Sequence, residues 1–258
     1  MQPKPAPTKN CVRCSDSEPW RDGLCFSCTK IHMAEQEAER ILEKLSELVS
    51  GDLTRAGLSK REMRADWAKV PKLIKDSLPK PTLMALSAGR VPPKGFGIGS
   101  DTGAGKTMAV AAMLKGFQRE HRKRYAEQIV ERAQAHEEPQ QFRSKVCWLT
   151  WPETVAEIRN HAIDGEAERI VERAENAPLL VLDDLGRERI KGSYVDDFAA
   201  SQLDIIVNRR YRDELPTIWT TNLPEIDLTA IYGAALVSRL TEDAPLVWLD
   251  GLASMRIR

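Results

Sequence analysis

The chain has no long apolar run and no excess of charge of either sign. None of its apolar stretches approaches the roughly 20 residues that a transmembrane helix needs, and the amino terminus, Met-Gln-Pro-Lys-Pro-Ala-Pro, has no apolar signal core. The 38 acidic residues balance the 38 basic ones, so any contact with nucleic acid must come from local basic patches. We therefore expect a cytoplasmic protein with no membrane partner, in which the five cysteines are reduced or bound to metal.

The length and composition fit one large α/β domain with a small appendage. The chain has 258 residues, of which 42% are hydrophobic and 29% charged, as is ordinary for a globular protein. From residue 95 onward, strand and helix patterns alternate, which predicts a three-layer arrangement around a parallel sheet. We predict strands at 96–98, 145–150, 179–183, 217–221 and 246–249. We predict helices at 106–135, 152–161, 164–176, 195–213 and 233–241.

A metal-binding pattern lies near the amino terminus. Cys11 and Cys14 form one C-x-x-C pair, and Cys25 and Cys28 form a second pair after ten intervening residues. Two such pairs predict a tetrahedral Zn²⁺ site with four thiolate ligands, although two redox pairs or free thiols have the same spacing. His32 is an alternative ligand, or simply part of the start of the next helix.

A helix predicted at 31–50 follows the cysteines. Its apolar residues recur at steps of three and four, and Gly51 is the expected stop. The helix either packs on its own domain or docks a partner, and we favour docking because this module has little core. Residues 51–94 predict a basic linker or lead-in, with helix around 60–77. The predicted domains are therefore 1–50, 51–94 and 95–258.

The segment from Ser100 to Thr107, SDTGAGKT, predicts a nucleotide phosphate cradle. Small residues let backbone N–H groups point at phosphate oxygens, and the start of the next helix adds the positive end of its dipole. Lys106 would contact the β- and γ-phosphates, and the Thr107 hydroxyl would bind Mg²⁺. Ser100 stands where the usual pattern has its first glycine. The predicted ATP-binding residues of this loop are Gly103, Ala104, Gly105, Lys106, Thr107 and Met108.

Four polar residues farther along the chain are candidates for catalysis. An apolar run ends in two aspartates, of which Asp183 is predicted to hold Mg²⁺ and Asp184 to orient and deprotonate the attacking water. Asn222 follows the strand at 217–221 and could hold the same water, although asparagine commonly ends strands. Arg239 could reach the γ-phosphate bound by a neighbouring subunit, and a surface ion pair is the alternative.

These segments together resemble the DnaC/DnaI/IstB branch of the AAA+ ATPases over about residues 50–258. The resemblance implies ATP hydrolysis, an AAA+ fold without a C-terminal lid, and the roles of sensor 1 for Asn222, arginine finger for Arg239 and sensor 2 for Arg256. Asp184 stands where many AAA+ proteins have glutamate, which implies slow hydrolysis. The motifs that carry the resemblance are GAGKT at 103–107, LLVLDDLG at 179–186, NRRY at 208–211, PTIWTTNL at 216–223 and SRL at 238–240.

Two functions compete within this branch. A helicase loader binds a hexameric DnaB-type replicative helicase and helps place it on single-stranded DNA, whereas an IstB-type transposition helper binds duplex DNA and recruits a transposase. The zinc module favours the loader, since DnaI-type loaders carry a zinc-binding helicase-docking domain. A third hypothesis is a zinc-ribbon DNA-binding regulator with a nonhydrolysing nucleotide fold. We expect self-association through the ATP sites, and a compact loader of this kind would suit a phage.

Two local basic patches are candidates for DNA contact. One lies on the predicted long helix and the other follows the two aspartates. A spiral of subunits would repeat either patch along a nucleic-acid backbone, while a solvated basic helix face is the alternative. The residues are Arg119, Arg122, Lys123 and Arg124 in the first patch, and Arg187, Arg189 and Lys191 in the second.

Overall fold

The computed structural model describes residues 10–15, 18–161, 165–188 and 197–250. The chain divides into two compact units, one made of residues 1–49 and 119–143 and the other of residues 50–118 and 144–258. The first unit thus includes a stretch, 119–143, that the sequence pattern assigned to the third domain. The predicted linker at 51–94 groups with the larger unit. Among the described residues, no helix has both the length and the apolar character required to cross a membrane.

The larger unit contains a five-stranded sheet, which confirms the predicted α/β class. Every pairing described between its strands is parallel, and the strand order is β2-β3-β4-β1-β5. Strands β1 to β4 are buried along almost their whole length, which explains why they appear in the sequence as continuous apolar runs, whereas the edge strand β5 is partly exposed. Their bounds are Phe96–Gly99 for β1, Val146–Thr150 for β2, Leu179–Leu185 for β3, Thr217–Thr221 for β4 and Leu246–Trp248 for β5.

Ten α-helices and two short 3₁₀ turns accompany the strands in the described residues. The helices are α1 (Phe26–Glu43), α2 (Leu45–Ala56), α3 (Lys72–Ser77), α4 (Lys80–Ser87), α5 (Lys106–Gln134), α6 (Trp151–Asn160), α7 (Glu166–Asn176), α8 (Asp197–Arg212), α9 (Glu225–Tyr232) and α10 (Ala234–Asp243). The 3₁₀ turns are Glu62–Arg64 and Trp67–Lys69. Every helix predicted after residue 95 is confirmed to within a few residues, and α9 is an additional helix.

The helix predicted at 31–50 is wrong in both bounds. Helix α1 begins at Phe26, because the Cys25 side chain accepts the backbone N–H of Cys28 and so caps the first turn. It ends at Glu43, and α2 then continues through Gly51, the expected stop, to Ala56. The predicted helix around 60–77 is instead two 3₁₀ turns followed by α3.

Two glycines of β1 are required by tryptophans on the neighbouring strands. A Cβ on Gly97 would lie 2.3 Å from the Trp219 ring of β4, and a Cβ on Gly99 would lie 2.3 Å from the Trp248 ring of β5. Both separations are far below van der Waals contact. The glycine-rich sequence of β1 therefore lets bulky residues of both adjacent strands cross over it, directly before the phosphate loop.

Arg210 fixes the start of β4 in the core of the larger unit. Its side chain is almost fully buried and donates to the Ala177 carbonyl at 2.7 Å, the Pro216 carbonyl at 2.7 Å and the Thr217 hydroxyl at 2.9 Å. Burial lowers its pKa to about 10. These hydrogen bonds join the end of α7 to the start of β4, which gives the NRRY segment a structural role.

The smaller unit has a modest apolar core of its own. Ile41 of α1 packs with Ala126 and Ile129 in the second half of α5. Within the same unit, Arg13 forms a two-pronged ion pair with Glu35, at 2.7 and 2.8 Å. The segment with the cysteines is thus joined to α1, and α1 is covered by a part of the chain about 85 residues later in the sequence.

Candidate nucleotide-binding site and cysteine cluster

The phosphate loop lies between β1 and α5, as predicted. Gly103 and Gly105 have φ angles of +93° and +89°, in the left-handed region that favours glycine. The loop and the first turn of α5 line a cavity of about 500 Å³. Lining residues from this segment are Thr102, Gly103, Ala104, Gly105, Lys106, Thr107 and Met108, which includes all six predicted loop residues.

The Lys106 ammonium is held at the floor of this cavity by oxygen acceptors. Its Nζ donates to the Ser100 carbonyl at 2.8 Å, to the Ser100 hydroxyl at 3.0 Å and to Asn222 Oδ1 at 2.7 Å. Burial lowers the pKa of Lys106 to about 8, against the opposing effect of the carboxylates of Asp184 and Asp183. The serine that replaces the usual glycine therefore adds a hydroxyl acceptor for the lysine, and Asn222 lies at the same site.

Asp183 and Thr107 present oxygen atoms to each other at the end of β3. The Thr107 hydroxyl donates to Asp183 Oδ1 at 3.0 Å, and both residues line the cavity. Burial raises the pKa of Asp183 to about 6, and the adjacent Asp184 adds to this effect. A hydroxyl and a carboxylate are the protein ligands typical of a phosphate-bound Mg²⁺, so the donor set fits this ion.

Arg187, a member of the second predicted basic patch, lines the cavity. Its Nη1 lies 2.6 Å from Asp184 Oδ2, and both residues line the cavity. This ion pair engages its guanidinium at the candidate nucleotide site, and the DNA-binding role predicted for Arg187 stays a prediction. Arg189 and Lys191 of the same predicted patch, and the predicted sensor Arg256, lie outside the described residues.

Three of the four residues of the predicted patch on the long helix are at least partly exposed. Arg119 is exposed, whereas Arg122 is buried and its guanidinium lies 3.4 Å from the centre of the Phe142 ring. Stacking on an aromatic face explains this burial, and Arg122 is therefore corrected from a DNA contact to a packing residue. Lys123 and Arg124 are half-buried, and Lys123 pairs with Glu120 at 2.8 Å.

Arg239 lies apart from the cavity of its own chain. It is on α10, its side chain is 40% exposed, and Nη1 is 3.6 Å from Asp204 Oδ1 of α8. It is not among the residues that line the cavity. Both alternatives from the sequence remain compatible with this placement, since an exposed arginine in a weak ion pair is available to a second subunit.

The structure adds residues that sequence analysis missed. The Thr220 hydroxyl contacts both Asp183 and the backbone of Asp184. The motif PTIWTTNL contains both Thr220 and Thr221, and the irregular pairing of β3 with β4 is what places Thr220 against the two aspartates. Two other segments complete the cavity, one before the first 3₁₀ turn and one at the start of α6. Their lining residues are Ser59, Arg61 and Glu62, and Thr150, Pro152 and Glu153.

The four cysteines predicted to bind zinc form one cluster. The Sγ atoms of Cys11, Cys14, Cys25 and Cys28 all lie within 4.8 Å of one another, and those of Cys14 and Cys25 are 3.8 Å apart. Tetrahedral Zn²⁺ with Zn–S bonds of about 2.3 Å requires sulfur atoms about 3.8 Å apart. The backbone N–H groups of Cys14 and Cys25 lower the pKa of Cys11, which favours the thiolate, whereas burial raises the pKa of Cys28. The donor set fits zinc.

The alternative ligand and the fifth cysteine lie elsewhere. His32 Nε2 is 3.0 Å from the Gln36 side-chain nitrogen and is not part of the metal-binding group. Cys147 is buried in β2, as predicted for a core residue, and burial raises the pKa of its thiol.

A glycine-containing loop follows β1 and leads into α5, and the two acids lie near the carboxyl end of β3, which is separated from β1 by β4. This arrangement places the protein in the phosphate-loop class of α/β folds. No protein-family model and no curated protein sequence matches the chain. Solved structures do match. The DnaC helicase loader has 20% sequence identity and a TM-score of 0.54, and the match covers 74% of this chain and 100% of that one.

Two further structures show the same fold. A putative primosome component from Streptococcus pyogenes has 20% identity and a TM-score of 0.51, with 78% of this chain and 93% of that chain covered. DnaI has 18% identity and a TM-score of 0.51, with coverage of 78% and 95%. The chain therefore shares the α/β fold of these three structures, as the sequence resemblance implied.

Proposed function

We propose that this protein is an ATP-dependent helicase loader, which binds a DnaB-type replicative helicase and assists its placement on single-stranded DNA. The observation that carries the proposal is the convergence on one cavity of the phosphate loop, Lys106, Asn222 and the pair Thr107–Asp183. The likeness of the fold to DnaC and DnaI supports the choice of loader among AAA+ functions.

The residues of the cavity have the chemistry that ATP hydrolysis requires. The loop N–H groups and the Lys106 ammonium would bind the phosphates, which are anionic. Mg²⁺, held by Thr107 and Asp183, would neutralise phosphate charge. Asp184 would orient the attacking water and accept its proton, and Arg187, which pairs with Asp184 at 2.6 Å, would restrict the position of that carboxylate.

Assembly of several subunits would complete the site. Arg239 is exposed on α10 and outside the cavity of its own chain, so it would act on ATP bound by the next subunit. An arginine supplied from another chain stabilises charge in the transition state and is worth about 10³-fold or more in rate. Hydrolysis would then be slow in the isolated chain and faster when ATP and single-stranded DNA order the subunits.

The smaller unit is proposed to dock the helicase. Trp20 and Phe26 are 63% and 55% exposed, and their rings meet edge to face at 5.3 Å. Val12 and Met33 of the same unit are also more than half exposed. Exposed aromatic residues on a small, metal-held scaffold are typical of protein interfaces. Arg119, Lys123 and Arg124, together with Arg187, Arg189 and Lys191 of the second patch, are proposed to contact the DNA backbone.

Affinity capture from the host, with and without ATP, tests the proposal. We expect the wild-type chain to recover a replicative helicase, and the double variant Trp20→Ser/Phe26→Ser to lose it while retaining ATP binding. A Tyr211→Ser variant is the matched control, because Tyr211 is an exposed aromatic residue of the other unit. Recovery of a transposase instead would favour the transposition helper. A chain that binds duplex DNA but neither ATP nor either protein would support the zinc-ribbon regulator.

A further inference from the structure

The two aspartates at the candidate site lie in a bulge of the sheet. The ladder between β3 and β4 is regular up to the pair Leu182–Trp219 and resumes at the pair Leu185–Thr221. Asp183 and Asp184 of β3 therefore face a single residue of β4, Thr220, which is the two-against-one count of a β-bulge. Asp184 has a φ angle of +62°, an uncommon conformation for a residue other than glycine.

The hydroxyl of Thr220 fills the interrupted ladder. Its Oγ1 accepts the backbone N–H of Asp184 at 3.0 Å and donates to Asp183 Oδ1 at 2.6 Å. Thr220 is fully buried, so water does not replace either hydrogen bond. A hydroxyl has only one hydrogen, so donation to the carboxylate and acceptance from the amide together fix its orientation.

We propose that Thr220 is a positioning residue, which holds Asp183 and Asp184 in the directions that catalysis requires. This inference deepens the proposed function and rests on it where hydrolysis is concerned. The hydroxyl supplies the hydrogen-bond acceptor that the backbone of β4 does not offer at the bulge, and it thereby maintains the left-handed conformation of Asp184. At the same time it orients Asp183 Oδ1, which also accepts the hydrogen bond from Thr107. One side chain from the neighbouring strand thus sets the geometry of both acids.

The next residue provides a matched control. Thr221 is also fully buried on β4. Its hydroxyl likewise makes two hydrogen bonds, donating to the Leu185 carbonyl at 2.9 Å and accepting the Leu223 N–H at 3.0 Å. The two threonines therefore have the same burial and the same number of hydrogen bonds, and only Thr220 contacts the acids.

The experiment compares Thr220→Val, Thr220→Ser and Thr221→Val. We expect the two valine variants to lose similar thermal stability, because each replaces one buried hydroxyl by a methyl group. Thr220→Val should lower kcat for ATP hydrolysis by about tenfold to a hundredfold, with KM within about threefold of wild type. Thr220→Ser should restore most of kcat, and Thr221→Val should change it by less than about threefold.

A second readout needs neither ATP nor hydrolysis. The amide hydrogen of Asp184 should exchange with solvent faster in Thr220→Val than in wild type, and at the wild-type rate in Thr221→Val. Equal kcat for the two valine variants, or no rescue by serine, would overturn the inference. If the wild-type chain hydrolyses no ATP, the proposed function fails, and exchange at Asp184 then decides the positioning role by itself.

Discussion

Gly97→Ala should destabilise the protein although alanine is otherwise a tolerated substitution in a strand. Gly97 has no positive φ angle, so the backbone itself accepts a side chain. The obstacle is the Trp219 ring, whose Cε2, Cζ2 and Cδ2 atoms would lie 2.3, 2.5 and 2.9 Å from the new Cβ. The ring is fully buried and its Nε1 donates to the Ala244 carbonyl at 2.9 Å, so it has no free direction in which to move.

The size of the effect follows from this overlap. Carbon atoms in contact lie about 3.5–4.0 Å apart, so the ring or the strand must shift by roughly an ångström. Overpacking of this kind costs about 1–3 kcal/mol. For a domain of this size, each kcal/mol lowers Tm by about 2–4 °C, and the expected decrease is therefore about 2–12 °C.

Urea unfolding of the wild-type protein and four variants tests the reasoning. Gly116→Ala is the control, because Gly116 lies in α5 and a Cβ added there would have no atom within 4 Å, and this change should stabilise by about 0.5–1 kcal/mol. Trp219→Phe removes part of the obstructing ring. In that background, Gly97→Ala should cost at least about 1 kcal/mol less than in wild type. Additive effects, or a harmless Gly97→Ala, would refute the packing explanation for the glycines of β1.

Three further predictions concern function. Lys106→Ala should abolish ATP binding in calorimetry. Because burial lowers the pKa of Lys106 to about 8, the ammonium loses its proton above pH 8, and the wild-type ATP affinity should then fall by up to about tenfold per pH unit. Lys106→Arg should show no such fall. One Zn²⁺ should co-purify per chain, and chelation should unfold the cysteine segment without loss of ATP binding; an ordered, metal-free segment would contradict this. Arg239→Ala should bind ATP yet lose DNA-stimulated hydrolysis. Mixing this variant with Lys106→Ala should restore some hydrolysis, because the first chain keeps an intact phosphate loop and the second supplies an intact Arg239. If the mixed chains assemble together but stay inactive, Arg239 does not act on ATP bound by a neighbouring subunit.

The strands of the sheet and the phosphate loop could be predicted because short segments of the sequence specify each of them. Each buried parallel strand is a short apolar run between polar turns, so β2, β3 and β4 could be placed within a residue or two. The loop needs small residues and a lysine at fixed spacing, which the segment 100–107 supplies directly. The cysteine cluster was predictable for the same reason, since two pairs at short spacing have few other uses.

The remaining features depend on which side chains meet in the folded protein, whether they are close or distant along the chain. Arg122 and Arg187 appear in the sequence as basic surface residues, but a ring 20 residues away covers one and Asp184 pairs with the other. Helix α1 starts at Phe26 because a cysteine of the cluster caps it. Thr220 and Thr221 are equivalent in sequence, and only the bulge in β3 assigns them different partners. Periodicity and motif spacing contain no information on such pairings.

The smaller unit is built from two separate segments of the chain, 1–49 and 119–143. This limits the variants that can test helicase docking without disturbing the rest of the protein. A fragment that begins near residue 51 would delete α1, and with it Ile41, which covers Ala126 and Ile129 on the second half of α5. Loss of helicase binding by that fragment would then have two explanations, namely the missing docking surface and an exposed apolar face on the long helix. Trp20→Ser/Phe26→Ser removes only side chains that are already exposed and leaves the Ile41 cluster intact. Because the Ile41 cluster is small and loss of its apolar contacts would be destabilising, surface substitution is the sharper test of where a partner binds.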